Sequence, residues 1–126
     1  MPMIPPTVTA QEHKVTIANG KPLIYDTQKI KEAKEKLMAH LYKHKPLAAI
    51  HDTAIRLTVK WLFPKGKGHS DGEYRITKPD TDNLQKMLKD CMTKAGFWKD
   101  DALVASEITE KFWAENPGIY IRIEEI

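Results

Sequence analysis

The sequence predicts a small α+β domain in which a mixed β-sheet is covered by two main helices. Its 126 residues are enough for one domain with one modest core, and 41% apolar with 29% charged residues is an ordinary globular balance. Two long segments place apolar residues at helical spacing, whereas several shorter ones alternate as strands do. Helices and strands follow one another along the chain, as they do in α+β proteins. We therefore expect residues 1–126 to form a single domain.

The first elements are predicted to be a β-hairpin. Residues 13–18 alternate in the way of a strand that is buried on one face. Asn19-Gly20 then provides two residues that readily take positive φ, which a tight hairpin turn requires. Residues 23–25 follow as the short partner strand and complete the hairpin.

A helix is predicted to follow the hairpin and to end near His44. Asp26 or Thr27 is suited to accept the first free backbone N–H groups of this helix, and Pro46 prevents its continuation. The outer face is rich in Lys and Glu, which suits contact with solvent. The apolar positions that recur at helical spacing are Ile30, Ala33, Leu37 and Leu41.

The middle of the chain combines the strongest strand pattern with a basic loop. Ala54–Phe63 alternates over its whole length, and the glycines of Pro64–Tyr74 favour a flexible loop. Basic residues exceed acidic ones from Arg56 to Lys78, which suits a polyanionic partner, although an ordinary solvated face would look the same. The candidate DNA contacts in this segment are Lys65, Lys67, Arg75 and Lys78.

The second helix is predicted from Thr81 to Ala95, since Gly96 is a favourable terminating residue. At about 100° per residue, its apolar side chains gather in one sector. The buried stripe consists of Leu84, Met87, Leu88, Cys91 and Ala95, and the opposite side carries Asp82, Asn83, Lys86 and Asp90. Val104–Ala114 and Gly118–Glu124 are expected to complete the sheet as its last strands.

Acidic residues concentrate at the start of this helix and after the turn that follows it. Asp80 and Asp82 lie at the positive end of the helix dipole, and Asp100-Asp101 comes where the chain has turned back. Such a turn would bring the two pairs close, and unit charges about 4 Å apart repel by about 4 kcal/mol at an effective dielectric near ~20. A cation would remove that repulsion, and oxygen ligands without Cys or His favour Mg²⁺ or Mn²⁺. The alternative is that Asp80 only caps the helix and Asp82 forms a weak surface ion pair with Lys86.

Other kinds of chemistry find little support in the chain. There is no glycine-rich phosphate loop, so we expect no nucleotide cofactor. The histidines show no tight ligand spacing, the single Cys91 falls on the buried stripe, and no serine has an evident base partner. No apolar run is long enough for a membrane span, and the first residues lack the pattern of a secretion signal. We therefore expect a cytoplasmic protein without membrane association.

The acidic segments together carry a motif that resembles the RusA family of Holliday junction resolvases. The residues concerned run from Lys78 to Lys86 (KPDTDNLQK), continue to Asp90 on the same helix, and end with the segment GFWKDD that closes at Asp101. The family's signature is a Pro-Asp-x-Asp-Asn-x-x-Lys helix start, a later Asp, and an Asp-Asp pair after a short turn. The likeness covers residues 50–126 well, whereas the N-terminal part departs from the Pro-x-Ser-x-Asn-like element that members often carry.

The resemblance implies a homodimeric, Mg²⁺-dependent endonuclease with a RusA-like fold, for which Mn²⁺ is an acceptable substitute. Such an enzyme resolves four-way DNA junctions by paired nicks in recombination and repair, and it is encoded by a bacterium or a phage. By the same resemblance, Asp80, Asp82 and Asp101 would be the metal-binding catalytic carboxylates. Asp100 would be a supporting acid, and Lys86 would lie beside the scissile phosphate.

Three other functions remain open on the sequence alone. One is an endonuclease with the same centre that prefers another branched DNA, such as a fork or a flap. Another is a non-catalytic DNA-binding module that kept the fold, and the third is a small interaction protein with a solvated acidic helix. Cleavage of four-way, three-way and linear DNA tests the first, Mg²⁺ binding tests the second, and DNA affinity at low salt tests the third.

Overall fold

The secondary structure follows the predicted order of elements. The computed structural model describes residues 1–9, 14–18, 21–25 and 28–126 of the chain. In chain order, its elements are β1 (Lys14–Ala18), β2 (Lys21–Tyr25), α1 (Gln28–Tyr42), β3 (Ile55–Pro64), α2 (Thr81–Ala95), β4 (Val104–Ala114) and β5 (Gly118–Glu125). A short 3₁₀ helix, Asp101–Leu103, immediately precedes β4.

A three-stranded mixed sheet with the order β4-β3-β5 forms the centre of the fold. β3 lies in the middle, parallel to β4 and antiparallel to β5. Its side chains alternate between the two faces, so every second residue is directed into the core. The inward side chains of β3 are fully buried: Ile55, Leu57, Val59, Trp61 and Phe63. The alternation in the sequence therefore predicted this strand correctly.

Both helices pack their apolar stripes into the same core as β3, which confirms the predicted α+β fold. All the apolar positions predicted for α1 are buried, and so is the whole stripe predicted for α2 from Leu84 to Ala95. Burial raises the pKa of the Cys91 thiol to about 11, which fits a core cysteine. Gly96 ends α2 in the left-handed conformation, with φ 90°, that a glycine adopts without strain.

β3, α2 and β4 form a parallel crossover, and this connection determines where the acidic residues lie. The chain leaves β3 at Pro64, and α2 runs back antiparallel to the strands before the chain enters β4 at Val104. At one end, Lys111 contacts the segment just before α2. At the other end, Ile50 exchanges backbone hydrogen bonds with the segment just after α2. The first and last residues of α2 therefore lie at opposite ends of the sheet.

The N-terminal hairpin is confirmed as an antiparallel pair of β1 and β2. The predicted Asn19-Gly20 turn and the candidate caps Asp26 and Thr27 lie outside the described residues. α1 ends slightly earlier than predicted, because the N–H groups that follow it bond carbonyls three rather than four residues back. No helix in the described ranges is long and apolar enough to cross a membrane.

The loop after β3 was predicted to be flexible, but the structure attaches it to the outer edge of β4. The Gly72 N–H donates to the Trp113 carbonyl, and the Arg75 N–H donates to the Lys111 carbonyl. The segment around Tyr74 thereby forms a short antiparallel addition to the edge of β4 that faces away from β3. The sequence pattern could not reveal them, because they involve backbone groups that every residue carries.

Candidate active site

The acidic pair at the start of α2 is exposed to solvent. Asp80 occupies the N-cap position with an extended backbone (φ −73°, ψ 148°), and its carbonyl accepts the Leu84 N–H. The Asp80 carboxylate makes no capping hydrogen bond, so its oxygens remain available for a ligand. Asp82 follows in the first turn and is also exposed. The partial positive charge at the beginning of a helix favours negative charge at this place.

Lys86 lies one helical turn after Asp82 and is exposed. Their spacing allows an ion pair, but none joins them among the residues that the structure describes. Asn83 lies between them and is half-buried. The start of α2 thus presents two carboxylates and one ammonium group on the solvent side of the helix.

The second acidic pair has two different environments. The Asp100 side chain accepts the Ala102 N–H at 2.9 Å and thereby caps the 3₁₀ helix before β4. Asp101 is the first residue of that helix and is half-exposed. Asp100 therefore has a structural function, whereas the Asp101 side chain has no hydrogen-bond or ion-pair partner in the described part of the chain.

The two acidic pairs do not come together within one chain. A helix of the 15 residues that form α2 extends about 22 Å, at ~1.5 Å per residue. Among the described residues, no group of three or more His, Cys, Asp or Glu side chains is arranged to hold a metal ion. The expected return of Asp100-Asp101 to Asp80 and Asp82 does not occur here, because a parallel β3 and β4 require α2 to cross the whole sheet.

The donor set at the start of α2 nevertheless suits a hard divalent cation. Mg²⁺ is commonly bound through one or two carboxylates, with water and substrate phosphate as the remaining ligands. Asp80 and Asp82 are exposed carboxylates that neither cap the helix nor form an ion pair in the described ranges. They can hold such an ion in part, and further ligands must come from water, from a phosphate or from another chain.

The segment that precedes Asp80 is held by two cationic side chains. The Lys111 ammonium group donates to the Thr77 carbonyl at 2.6 Å and to the Pro79 carbonyl at 2.8 Å. Arg75 donates to the carbonyl between them at 2.5 Å. Burial lowers the pKa of Lys111, the nearby Arg75 charge lowers it further, and the Asp80 charge raises it.

Arg75, one of the predicted DNA contacts, is engaged inside the protein. Its guanidinium carbon lies 4.3 Å from the centre of the Phe63 ring and 4.5 Å from that of Trp113. Burial lowers the pKa of this guanidinium. The other candidates, Lys65, Lys67 and Lys78, follow β3 or precede α2, so they lie at the same end of the sheet as Asp80.

Lys111 is a residue of this region that sequence reasoning did not identify. It lies opposite Trp61 in the register of β3 and β4, on the face that the helices cover. A lysine in an inward position of a strand is uncommon, because its charge is costly to bury without hydrogen-bond partners. That position in the alternation of β4 was the signal that could have marked Lys111.

Comparisons with known proteins agree with the motif. A family model described as "Endodeoxyribonuclease RusA" matches residues 4–124. The chain is 28% identical over 119 residues to the crossover junction endodeoxyribonuclease rusA of Lactococcus phage r1t. The matched region covers 94% of this chain and 89% of the phage protein. It is also 29% identical over 122 residues to YqaN of Bacillus subtilis strain 168, a protein described as uncharacterized. That matched region covers 88% of this chain and 84% of YqaN.

Proposed function

Because the chain belongs to the RusA family of endodeoxyribonucleases, we propose that it resolves four-way DNA junctions by paired, Mg²⁺-dependent nicks in recombination and repair. The observation that carries this proposal is the exposed Asp80–Asp82 pair at the start of α2, with Lys86 one turn further on. The name of the phage relative supports a crossover junction as the substrate.

Asp80 and Asp82 are proposed to bind the divalent cation together with Asp101. When bound, such a cation supplies Lewis-acid stabilisation of charge on the phosphate and a more acidic water. Lys86 adds a positive charge on the same side of the helix, where it can stabilise the additional charge of the transition state. Asp100 acts as a supporting acid by ordering the turn that carries Asp101.

The basic residues at the same end of the sheet are proposed to contact the DNA backbone. Lys65 and Lys67 follow the end of β3 and Lys78 precedes the start of α2, so all three lie at the same end of the sheet as the acidic pair. Ammonium groups that contact phosphates release counterions, so this part of the binding weakens as salt rises. Arg75 is proposed to contribute less, since its guanidinium already lies over two aromatic rings and donates to Thr77 and Lys78.

The separation of the acidic pairs supports a homodimer as the active form. Since α2 keeps Asp101 far from Asp80 and Asp82 of the same chain, the third carboxylate is proposed to be Asp101 of the partner subunit. In a two-fold dimer, each subunit can supply its own Asp101 to the start of the other subunit's α2, so that two equivalent centres would form. Two such centres would cut the two opposed strands of a junction.

A cleavage assay with synthetic four-way junctions tests the proposal. The wild-type protein should nick opposed strands in Mg²⁺ or Mn²⁺ and not in EDTA. Asp82→Asn should reduce the rate at least about 100-fold, because it removes a charged oxygen ligand, while junction binding persists. Glu35→Gln is the matched control, because it removes a carboxylate from the exposed face of α1, which carries no residue of the site, and this variant should cleave at the wild-type rate.

Equal cleavage by Asp82→Asn and the wild type would contradict the site assignment. Three-way and linear DNA of the same arm sequences determine whether the four-way junction is the preferred substrate. Faster cleavage of three-way DNA would support the assignment as a nuclease but would show that the four-way junction is not its preferred substrate. Junction binding without cleavage in either metal would instead indicate a DNA-binding module.

A further inference from the structure

The backbone that leads into α2 is bound by charged side chains at each of three consecutive carbonyls. Lys111 donates to the carbonyls of Thr77 and Pro79, and Arg75 donates to that of Lys78. We refer to the side chains of Arg75 and Lys111 together with these carbonyls as the carbonyl clamp. Charge-assisted hydrogen bonds of this kind are about twice as strong as neutral ones.

Both cations of the clamp are themselves fixed by their surroundings. The Arg75 guanidinium lies over both the Phe63 and the Trp113 rings, and its Nε donates to the Thr77 hydroxyl at 3.1 Å. Lys111 extends from β4 at the position opposite the fully buried Trp61. The Arg75 N–H also donates to the Lys111 carbonyl at 2.9 Å. Both residues of the clamp are therefore anchored to the sheet.

Such an arrangement is more than a turn requires. Two partly buried cations lie side by side, and an apolar residue opposite Trp61 would pack there without desolvation or like-charge repulsion. The hydrogen bonds to the carbonyls offset that disadvantage. These carbonyls lie immediately before Asp80, the N-cap residue of α2. The clamp thus holds the peptide group between Pro79 and Asp80, from which the chain continues into α2 and its acidic residues.

We propose that Lys111, supported by Arg75, is a positioning residue for catalysis that holds Asp80 and Asp82 in the orientation needed to bind the divalent cation. This inference rests on the proposed function. It assigns Lys111 no contact with DNA or with the cation. Groups that orient metal ligands without touching the metal typically change metal affinity by about 10- to 100-fold when they are removed.

Three substitutions test the inference on the full-length protein. Lys111→Met removes the charge and the donors but keeps the length of the side chain, and Lys111→Arg keeps a cation that can still reach the carbonyls. Lys89→Met is the matched control, because Lys89 joins the same helix to the same strand through Glu107 but is remote from the clamp. Thermal unfolding establishes that each variant is folded.

Mn²⁺ affinity is measured by calorimetry without DNA, and the Mg²⁺ concentration for half-maximal junction cleavage is measured separately. Lys111→Met should weaken Mn²⁺ binding and raise the Mg²⁺ requirement by about tenfold or more. Its junction affinity without metal should stay within about twofold, because Lys111 contacts no phosphate. Lys111→Arg should recover most of the metal affinity, and Lys89→Met should resemble the wild type.

Unchanged Mn²⁺ affinity in Lys111→Met would overturn the inference. An equal loss of Mn²⁺ affinity in Lys89→Met would also overturn it, because it would indicate a general loosening of α2. If Lys111→Met does not fold, Arg75→Lys takes its place, since it loses the ring stacking and should also weaken Mn²⁺ binding. A wild type that binds Mn²⁺ but cleaves no junction would refute the proposed function alone, because the effect of the clamp on Mn²⁺ binding would still be measurable.

Discussion

Asp80 and Asp100 each occupy the N-cap position of a helical segment, yet their side chains are used differently. The Asp100 carboxylate bonds the Ala102 N–H, whereas the Asp80 carboxylate bonds no N–H group of the first turn of α2. An N-cap aspartate that leaves its cap bond unmade gives up about 0.5–2 kcal/mol of helix stability. The Asp80 oxygens therefore stay available for the proposed cation, whereas the Asp100 side chain is used in the turn.

The sequence could not separate these two aspartates, because both precede a helical segment and both match the motif. The sequence could identify the buried residues around them, since buried positions of a helix or strand recur with a regular spacing. No such spacing shows whether an aspartate makes its capping hydrogen bond. Lys111 illustrates the remaining difficulty. Its inward position follows from the alternation of β4, but its partners are backbone carbonyls, which no residue type reveals.

Gln85 provides a prediction at this scale, since it is a polar side chain in the core of the protein. It is 3% exposed, and neither its amide nitrogen nor its amide oxygen has a hydrogen-bond partner in the described part of the structure. Unsatisfied buried polar groups cost about 1–3 kcal/mol each. Gln85→Met keeps the shape and removes both groups, so we expect the free energy of unfolding to rise by about 1 kcal/mol.

Denaturant unfolding measures this effect as a higher midpoint with an unchanged slope. Gln28→Met is the control, because Gln28 is exposed on α1 and its substitution should change stability by less than about 0.5 kcal/mol. A less stable Gln85→Met protein would show that the amide finds a partner in solution.

At the scale of elements, α2 was the most predictable part of the chain. Its stripe from Leu84 to Ala95 and its glycine end were both confirmed, since each depends on local spacing and on conformational preference. The loop after β3 was predicted less well. Its glycines correctly suggested a turn-rich segment, but its attachment to β4 depends on backbone groups and on side chains that are distant in sequence.

The loop also contains a contact whose strength depends on pH. The His69 ring bonds the Glu73 carboxylate at 2.6 Å and stacks on Trp113. The His69 hydrogen bond, followed by one from the Ser70 N–H, lowers the pKa of Glu73 from its ordinary value of 4.5. Because this pKa is depressed in the folded state, the contact stabilises the folded protein fully above about pH 4.5. Its contribution to stability is lost as the pH falls through the depressed pKa.

An NMR titration of the Ser70 amide follows this ionisation, since that N–H donates to the Glu73 carboxylate at 3.3 Å. The midpoint should lie below 4.5, and in His69→Phe, which keeps a ring to stack on Trp113, it should rise toward the ordinary value. The same midpoint in both proteins would show that His69 does not stabilise the Glu73 carboxylate.

At the scale of the whole molecule, one topological feature determines what a single chain can do. The sequence predicted a mixed sheet but not which strands run parallel, because strand direction depends on how the chain connects in space. Since β3 and β4 are parallel, α2 crosses the sheet and separates the two acidic pairs that the motif places close together in sequence. If Asp101 completes the proposed site, the set of three aspartates requires two copies of the chain.

Subunit complementation distinguishes a shared centre from one built by a single chain. Asp82→Asn and Asp101→Asn should each abolish junction cleavage as homodimers. In their heterodimer, one shared centre would carry both substitutions and the other would carry neither. If the two proteins are refolded together in equal amounts, half the dimers are mixed, so intact centres should reach about a quarter of the wild-type number. These dimers should make single nicks and not paired ones.

The control is a mixture of Asp80→Asn with Asp82→Asn, because each centre of that heterodimer would still lack one carboxylate. It should remain inactive, whereas the Asp82→Asn and Asp101→Asn mixture recovers nicking. Centres confined to one chain would leave both mixtures inactive, since every chain in them carries a substitution. The result would therefore show whether the length of α2 makes this nuclease dependent on its second subunit.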